Sequence, residues 1–197
     1  MEMARKINDL KGSKFDASGW ASKAKGDGAR GKIIGSTNGR MQYGRLYSFN
    51  YYDPKTRDKL AYWNTNPLII KIDELMSAEG FMDIGVNLNF FPEKIKYQFI
   101  DAFWTRYGSA YNSKRNTPAR DQSYNKFSPK SFMATYKQYG IGFATRKYIN
   151  KRISNSYVFS NNIDVWASAM LINNPNFVKL GEAERDKLFI EYINKTR

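Results

Sequence analysis

Residues 66–91, "NPLIIKIDELMSAEGFMDIGVNLNFF", decide the fold. The β-branched residues Ile69, Ile70 and Ile72 follow a proline and predict a buried strand. The Ser-Ala-Glu-Gly stretch after it has the composition of a turn. The alternation beyond that turn predicts a second strand. Two runs joined so closely favour antiparallel pairing, and we expect a sheet built around them.

The segment before this pair continues the pattern. Residues 44–63, "GRLYSFNYYDPKTRDKLAYW", contain two aromatic, β-rich runs on either side of a turn at Asp53-Pro54-Lys55. We therefore expect residues 45–91 to form a small antiparallel β-sheet or an SH3-like barrel.

Helices are predicted to follow this β region. Pro92 and Glu93 suit the first turn of a helix, and Gly108 suits its end. The apolar positions between them fall on one helical face, namely Ile95, Phe99, Ile100, Phe103 and Tyr107. Further elements are helices over 128–140, 144–153, 162–172 and 182–194, and a strand over 156–160. The predicted class is α+β, with helices packed around the sheet.

The first 44 residues differ from the rest in composition. They contain eight glycines, and nine Lys or Arg against four Asp or Glu. Such a segment buries too little apolar surface to fold alone. We therefore expect an extended basic arm over residues 1–44, ahead of a single α+β domain over 45–197. Within that domain, residues 108–130 are polar and basic, which predicts an exposed loop.

The predicted arm contains part of a nucleotide-binding motif. In "GDGARGKII", residues 26–34, two glycines and Lys32 have the G-x-x-x-x-G-K spacing of a phosphate-binding loop. That motif needs Ser or Thr after the lysine, a strand before it and a helix after it. Ile33 takes the hydroxyl position, and Gly35 and Gly39 disfavour a helix. We interpret the stretch as a glycine-hinged basic arm.

Composition excludes several kinds of chemistry. The chain has 197 residues, no Cys, no His and a formal net charge of +14. It can therefore form no disulfide, no Cys or His zinc site, no thiol nucleophile and no imidazole base. We expect no cofactor, and no membrane association, because no apolar run approaches the roughly 18–20 residues of a membrane span. The positive charge favours a polyanionic partner, since cations that neutralise phosphates release counterions.

The positive charge is concentrated between residues 105 and 152, where eleven Lys or Arg face one acid, Asp121. Tyrosines lie among these cations, and we interpret them as core residues rather than stacking platforms, because spaced aromatics usually pack. No helix-turn-helix or zinc-finger pattern is present, which favours backbone contacts over base reading. The predicted DNA-binding residues are Arg30, Lys32, Arg40, Arg45, Lys114, Arg115, Arg120, Arg146, Lys147, Lys151 and Arg152.

Acidic residues are the remaining candidates for catalysis, because a two-metal nuclease site needs only acids. Seven fall within or just after the β-rich stretch: Asp53, Asp58, Asp73, Glu74, Glu79, Asp83 and Glu93. Most lie at predicted turns, where acids are ordinarily solvated, and they do not converge on a site. We do not expect an enzyme. A nuclease would show magnesium-dependent cleavage that substitution of Asp53 or Asp83 abolishes.

Four further features form a recognisable pattern: the Tyr52-Asp53-Pro54-Lys55 turn, Pro67-Leu68, the strand from Gly80-Phe81 to Val86-Asn87-Leu88, and the basic segment 148–153 leading to Trp166. In these features the chain resembles virion proteins of T4-like tailed bacteriophages that are known as DNA end protectors or head-completion proteins. It departs from the family pattern at Asn89-Phe90, where that pattern has a His-aromatic pair.

This resemblance implies a protein bound to the end of packaged double-stranded DNA near the head–tail junction, where it shields the end from host exonuclease. The implied partners are the DNA backbone and other virion proteins. The implied location is the virion, and the host cytoplasm during assembly and after injection; an oligomer within the virion is compatible with it. An alternative of a different class is a structural neck, tail or baseplate protein whose basic arm contacts neighbouring protein subunits.

Overall fold

The β-rich centre of the chain folds as the sequence predicts. The computed structural model describes residues 2–17, 19–20, 22, 34–36, 41–54, 63–107, 128–160, 162–172, 177–178 and 181–196. Within these ranges the chain forms an antiparallel sheet of six strands, a separate pair of short strands and six α-helices. This mixture confirms the α+β class.

The large sheet is assembled from distant parts of the chain. The strands in chain order are β1 Ile34–Ser36, β2 Leu46–Tyr51, β3 Trp63–Asn64, β4 Leu68–Ser77, β5 Gly80–Asn87, β6 Thr145–Ile149, β7 Ile153–Phe159 and β8 Phe177–Val178. The spatial order of the large sheet is β1-β7-β2-β4-β5-β6, so that β1 and β6 are the edge strands among those described, and a sheet rather than a closed barrel results. The two remaining strands, β3 and β8, pair with each other.

Strands β4 and β5 form the hairpin at the centre of this sheet. Their register pairs Ser77 with Gly80 across a two-residue turn. Gly80 has φ 102, a left-handed conformation that glycine adopts without a side-chain clash. Ile70, Ile72 and Val86 are all buried against the helices. Burial of both faces at the start of β4 explains why Leu68, Ile69 and Ile70 are all apolar rather than alternating with polar residues.

The prediction of a helix over residues 144–153 was wrong. Ala144 ends a short helix, and the residues after it form strand β6, a short 3₁₀ helix over Asn150–Arg152, and the first residue of β7. Tyr148 is 4% exposed and lies opposite Asp83 in the neighbouring strand. Backbone pairing with β5 and burial of this ring outweigh the helical propensity of the lysine and arginine residues, which is a local preference only.

The helices lie against the face of the sheet that carries Ile70, Ile72 and Val86. The centre of this core includes Phe103 and Trp166, whose rings stack with centroids 5.6 Å apart. No helix in the described ranges has both the length and the apolar character needed to cross a bilayer. The bounds are α1 Glu2–Gly12, α2 Glu93–Tyr107, α3 Pro129–Thr135, α4 Ile141–Ala144, α5 Ile163–Leu171 and α6 Glu182–Thr196.

Most predicted helices are confirmed. Helix α2 follows Pro92 as expected, and α3 begins after Ser128, whose side chain accepts a hydrogen bond from the backbone N–H of Ser131 as an N-cap. The turn that follows α3 ends at Gly140, which has φ 69 and lies against Phe189 of α6. The predicted helices near the end of the chain are α5 and α6.

The prediction of an extended segment was wrong for residues 2–12, which form helix α1. Met3 and Ile7 are fully buried, and Leu10 packs on the same core. The spacing i, i+4, i+7 places these three residues on one helical face. The remainder of the predicted arm contains β1, while residues 23–33 and 37–40 lie outside the described residues. The boundary at residue 44 stays a prediction.

Helix α1 is docked by polar contacts as well. The Asp101 carboxylate on α2 accepts a hydrogen bond from the backbone N–H of Met3 at 3.1 Å, which satisfies a first-turn donor. Lys6 forms an ion pair with Asp164 on α5. These contacts join α1 to two helices that are distant in sequence, so this end of the chain is part of the core.

We expect Ile7→Ala to lower the free energy of unfolding by about 2–5 kcal/mol, because it removes a fully buried side chain from a close-packed core. Asp9→Ala, an exposed change on the same helix, should stay within about 0.5 kcal/mol. Urea denaturation of both variants measures the difference. Equal stability of Ile7→Ala and the unmodified chain would restore the extended-arm interpretation for these residues.

Candidate nucleic-acid interface

The segment from β6 to β7 carries four of the predicted DNA-binding cations. Strand β6 pairs with β5 at the edge of the sheet, whereas β7 lies between β1 and β2. The short 3₁₀ helix Asn150–Arg152 connects β6 to β7 beside the β4–β5 turn. Its position follows from the pairing of Ile149, the residue before it, with Met82, the third residue of β5. The fold thus brings this basic segment to one end of the sheet.

Arg152 is held in place by acids. Its guanidinium forms ion pairs with Asp53, which follows β2, and with Glu79 in the β4–β5 turn. The carbonyl of Arg152 accepts a hydrogen bond from the backbone N–H of Tyr52 at 3.3 Å. The residue therefore joins three segments of chain, and much of its charge is compensated before any phosphate approaches.

Arg146 is half-buried and also has structural contacts. Its guanidinium carbon lies 4.1 Å from the centroid of the Phe90 ring, a cation–π geometry. Its Nη1 donates hydrogen bonds to the backbone carbonyls of Phe143 at 2.5 Å and Thr145 at 2.8 Å. This side chain stabilises the junction of α4 and β6.

Lys147 and Lys151 are exposed, one on the edge strand and one in the 3₁₀ helix. Arg45 is partly buried, and its Nη1 donates to Gln42 Oε1 at 3.0 Å. None of these three residues has a carboxylate partner among the described ion pairs. The other candidates lie outside the described residues: Arg30, Lys32, Arg40, Lys114, Arg115 and Arg120.

Two of the tyrosines that lie among the cations in the sequence are buried in the core, as the sequence predicted. Tyr136 and Tyr148 are 2% and 4% exposed. The Tyr148 ring makes edge contacts with Phe49 and Tyr51, and its hydroxyl accepts a hydrogen bond from Asn87 Nδ2 at 3.0 Å. Burial raises the pKa of the Tyr148 phenol. Neither ring is available to stack on a base.

A buried ion cluster was not predicted from the sequence. Lys71 is fully buried, and its Nζ lies 2.5 Å from Asp83 Oδ1 and 2.8 Å from Glu74 Oε2. It also donates a hydrogen bond to the carbonyl of Met41 at 2.8 Å. The available signal was a single lysine inside the apolar run of β4, because a buried ammonium requires partners.

This cluster changes the interpretation of the acids. Asp53 was expected at a solvated turn and Asp83 within a predicted strand; they are 3% and 2% exposed and are paired with Arg152 and Lys71. Among the described residues, no group of three or more acids is placed to hold a metal ion. The two carboxylates that a nuclease hypothesis singled out have structural partners.

The chain matches a known protein family over most of its length. A family model described as Phage T4 terminal DNA protecting protein matches residues 4–182. No curated protein and no solved structure matches the chain.

The contrast between neighbouring cations is testable. We expect Arg152→Ala to lower the midpoint of urea unfolding, because it removes the ion pair between the guanidinium and the buried Asp53 carboxylate. Lys151→Ala should leave that midpoint unchanged and weaken binding to duplex DNA, reducing the slope of log K against log salt by about 1. Unfolding curves and salt titrations of both variants make the comparison. Equal stability of the two would contradict a structural role for Arg152.

Proposed function

Because the chain belongs to the family of the phage T4 terminal DNA protecting protein, whose model matches residues 4–182, we propose that it binds an end of packaged double-stranded DNA and shields it from exonuclease. The family match confirms the resemblance to DNA end protectors. It is the single observation that carries the proposal. The net charge of +14 supports it independently.

The proposed mechanism is electrostatic and involves no bond making or breaking. Lys and Arg side chains neutralise backbone phosphates and release counterions, which supplies affinity without reading sequence. A protein held on the last base pairs then occupies the space that an exonuclease needs. The protein acts as a cover rather than as an enzyme.

The described part of the interface is the end of the sheet around the 3₁₀ helix Asn150–Arg152. Lys151 presents its ammonium from this helix, and Lys147 presents its own from the adjoining edge strand. The ion pairs of Arg152 hold the connecting backbone in one conformation. Cations on a rigid support lose less conformational freedom when they contact phosphates.

The remaining predicted contacts extend this interface. Arg30, Lys32 and Arg40 belong to the predicted arm, and Lys114, Arg115 and Arg120 to the predicted basic loop. We propose that both segments contact the DNA backbone, and that the protein resides near the head–tail junction of the virion beside other virion proteins. In the host cell it would be present in the cytoplasm during assembly and after injection.

The test is a salt titration on two forms of one duplex, a linear form with blunt ends and a form closed at both ends by hairpin loops. We expect affinity for the linear form to fall linearly in log K against log salt, with a slope of about −0.9 for each phosphate contacted. The linear form should bind more tightly, and bound protein should slow its digestion by an exonuclease in proportion to occupancy.

Two results would overturn this proposal. Equal affinity for the linear and closed forms would remove any role at DNA ends. Absence of duplex binding at low salt would favour the neck, tail or baseplate alternative, in which the basic residues contact protein subunits.

A further inference from the structure

A pocket of about 220 Å³ lies where four helices meet. Helices α1, α2 and α6 contribute charged side chains to its wall, and the end of α5 contributes apolar residues and backbone. The charged residues are Lys11, Glu93, Lys96, Glu182 and Arg185. None of them belongs to the predicted DNA-binding set, so the pocket is a separate feature of the molecule.

Two of the three cations in the wall are paired. Lys11 forms an ion pair with Glu93. Arg185 contacts Asp186 at 2.7 Å and Glu182 at 3.2 Å. The carboxylates at the pocket are therefore engaged by these two residues.

Lys96 has no such partner. None of the ion pairs among the described residues includes it. Its Nζ donates one long hydrogen bond, 3.4 Å, to the carbonyl of Met170. An ammonium has three donors, and the carbonyl of Met170 accepts from one of them, while the Tyr97 ring centroid lies 5.5 Å from the same Nζ.

The surroundings of Lys96 are unfavourable for a lone cation. Burial lowers its pKa to about 8, and the positive charges of Arg185 and Lys11 act in the same direction, while Glu93 and Glu182 oppose them. An anion in the pocket would relieve both effects, because it would supply the missing counter-charge.

Backbone dipoles add to this attraction. Glu93 and Glu182, the first residues of α2 and α6, both line the pocket, so the amino ends of two fifteen-residue helices lie at its wall. First-turn N–H groups and the helix dipole favour anions at such positions. The volume is below the roughly 300–1,000 Å³ of pockets for drug-sized ligands, which suits a single small anionic group.

We propose that this pocket binds a phosphate monoester, supplied by the 5′-terminal phosphate of a DNA end. The inference rests on the proposed function for the source of the phosphate, and it extends that function by naming a group that duplex interiors lack. A monoester carries about −1.5 to −2 charges at pH 7, against one for an internal diester, so the pocket would distinguish an end from the interior.

The contribution of the terminal phosphate to DNA affinity should fall at both low and high pH. The monoester gains its second negative charge above its pKa of about 6. Lys96 is protonated below its pKa of about 8 and loses its charge above that value. The other titratable or charged groups that face the pocket are Lys11, Arg185, Glu93, Glu182 and the phenol of Tyr97. The preference is thus greatest between these two values, and a bound phosphate extends the upper limit because it raises the pKa of Lys96.

The experiment compares one blunt duplex in three forms, with 5′-phosphates, with 5′-hydroxyls, and closed by hairpin loops. We expect the phosphorylated form to bind about tenfold more tightly than the hydroxyl form, as befits charge-assisted hydrogen bonds. Equal binding of these two forms, with weaker binding of the closed form, would overturn this inference and leave the proposed function standing. Equal binding of all three would overturn the proposed function.

Inorganic phosphate identifies the source of the ligand. Millimolar phosphate should reduce the preference for the phosphorylated form by competition, against a chloride control of equal ionic strength. Competition for the pocket without any preference for phosphorylated ends would assign it to free phosphate and overturn the assignment to DNA.

Matched variants locate the effect. Lys96→Gln should abolish the tenfold preference, whereas Lys94→Gln, an exposed residue on the same helix with the same loss of charge, should retain it. Lys96→Met, which avoids placing an amide in the pocket, serves as a second variant of similar volume. A preference that persists in both Lys96 variants would overturn the assignment, and if neither variant folds, the comparison of the three duplexes on the unmodified chain still decides.

Discussion

The ammonium of Lys71 imposes the constraint on which the sheet depends. It is fully buried between β4 and β5, and its charge is compensated by Asp83 and Glu74. Its hydrogen bond to Met41 fixes the chain that leads into β2. The backbone of the same residue exchanges hydrogen bonds with Gly44 and Arg45. This residue thereby links β4 and β5 to the segment that leads into β2. Only a register that brings these partners together compensates a charge that is costly to bury.

Local pattern predicted the elements whose stability is local. The β4–β5 hairpin and helix α2 have apolar periodicity within their own sequence, and their bounds in the structure follow Pro67, the turn before Gly80, and Pro92. The segment around Tyr148 was predicted incorrectly because its conformation depends on pairing with β5, more than sixty residues earlier. Helix α1 was missed because a short stripe of three apolar residues is weak until a core is present to receive it.

The candidate interface could likewise be predicted from the sequence only in part. Net charge and the density of cations are properties of the sequence, so a basic surface could be predicted from it. Proximity is not such a property: Arg152 meets Asp53 and Glu79 only because three segments converge. A count of charges treats Arg152 and Lys151 alike. In the fold, Arg152 is paired with two carboxylates, whereas Lys151 is exposed.

Lys147 has a second consequence that concerns solubility. It lies on β6, an edge strand of the described sheet, where unpaired backbone groups could template addition of a strand from another copy. A charged side chain on such an edge discourages this pairing, because a second copy in register would bring like charges together. A cation that suits a polyanionic partner therefore also opposes self-association. A variant in which such edge cations were replaced by neutral residues would be more prone to pair with other copies of itself.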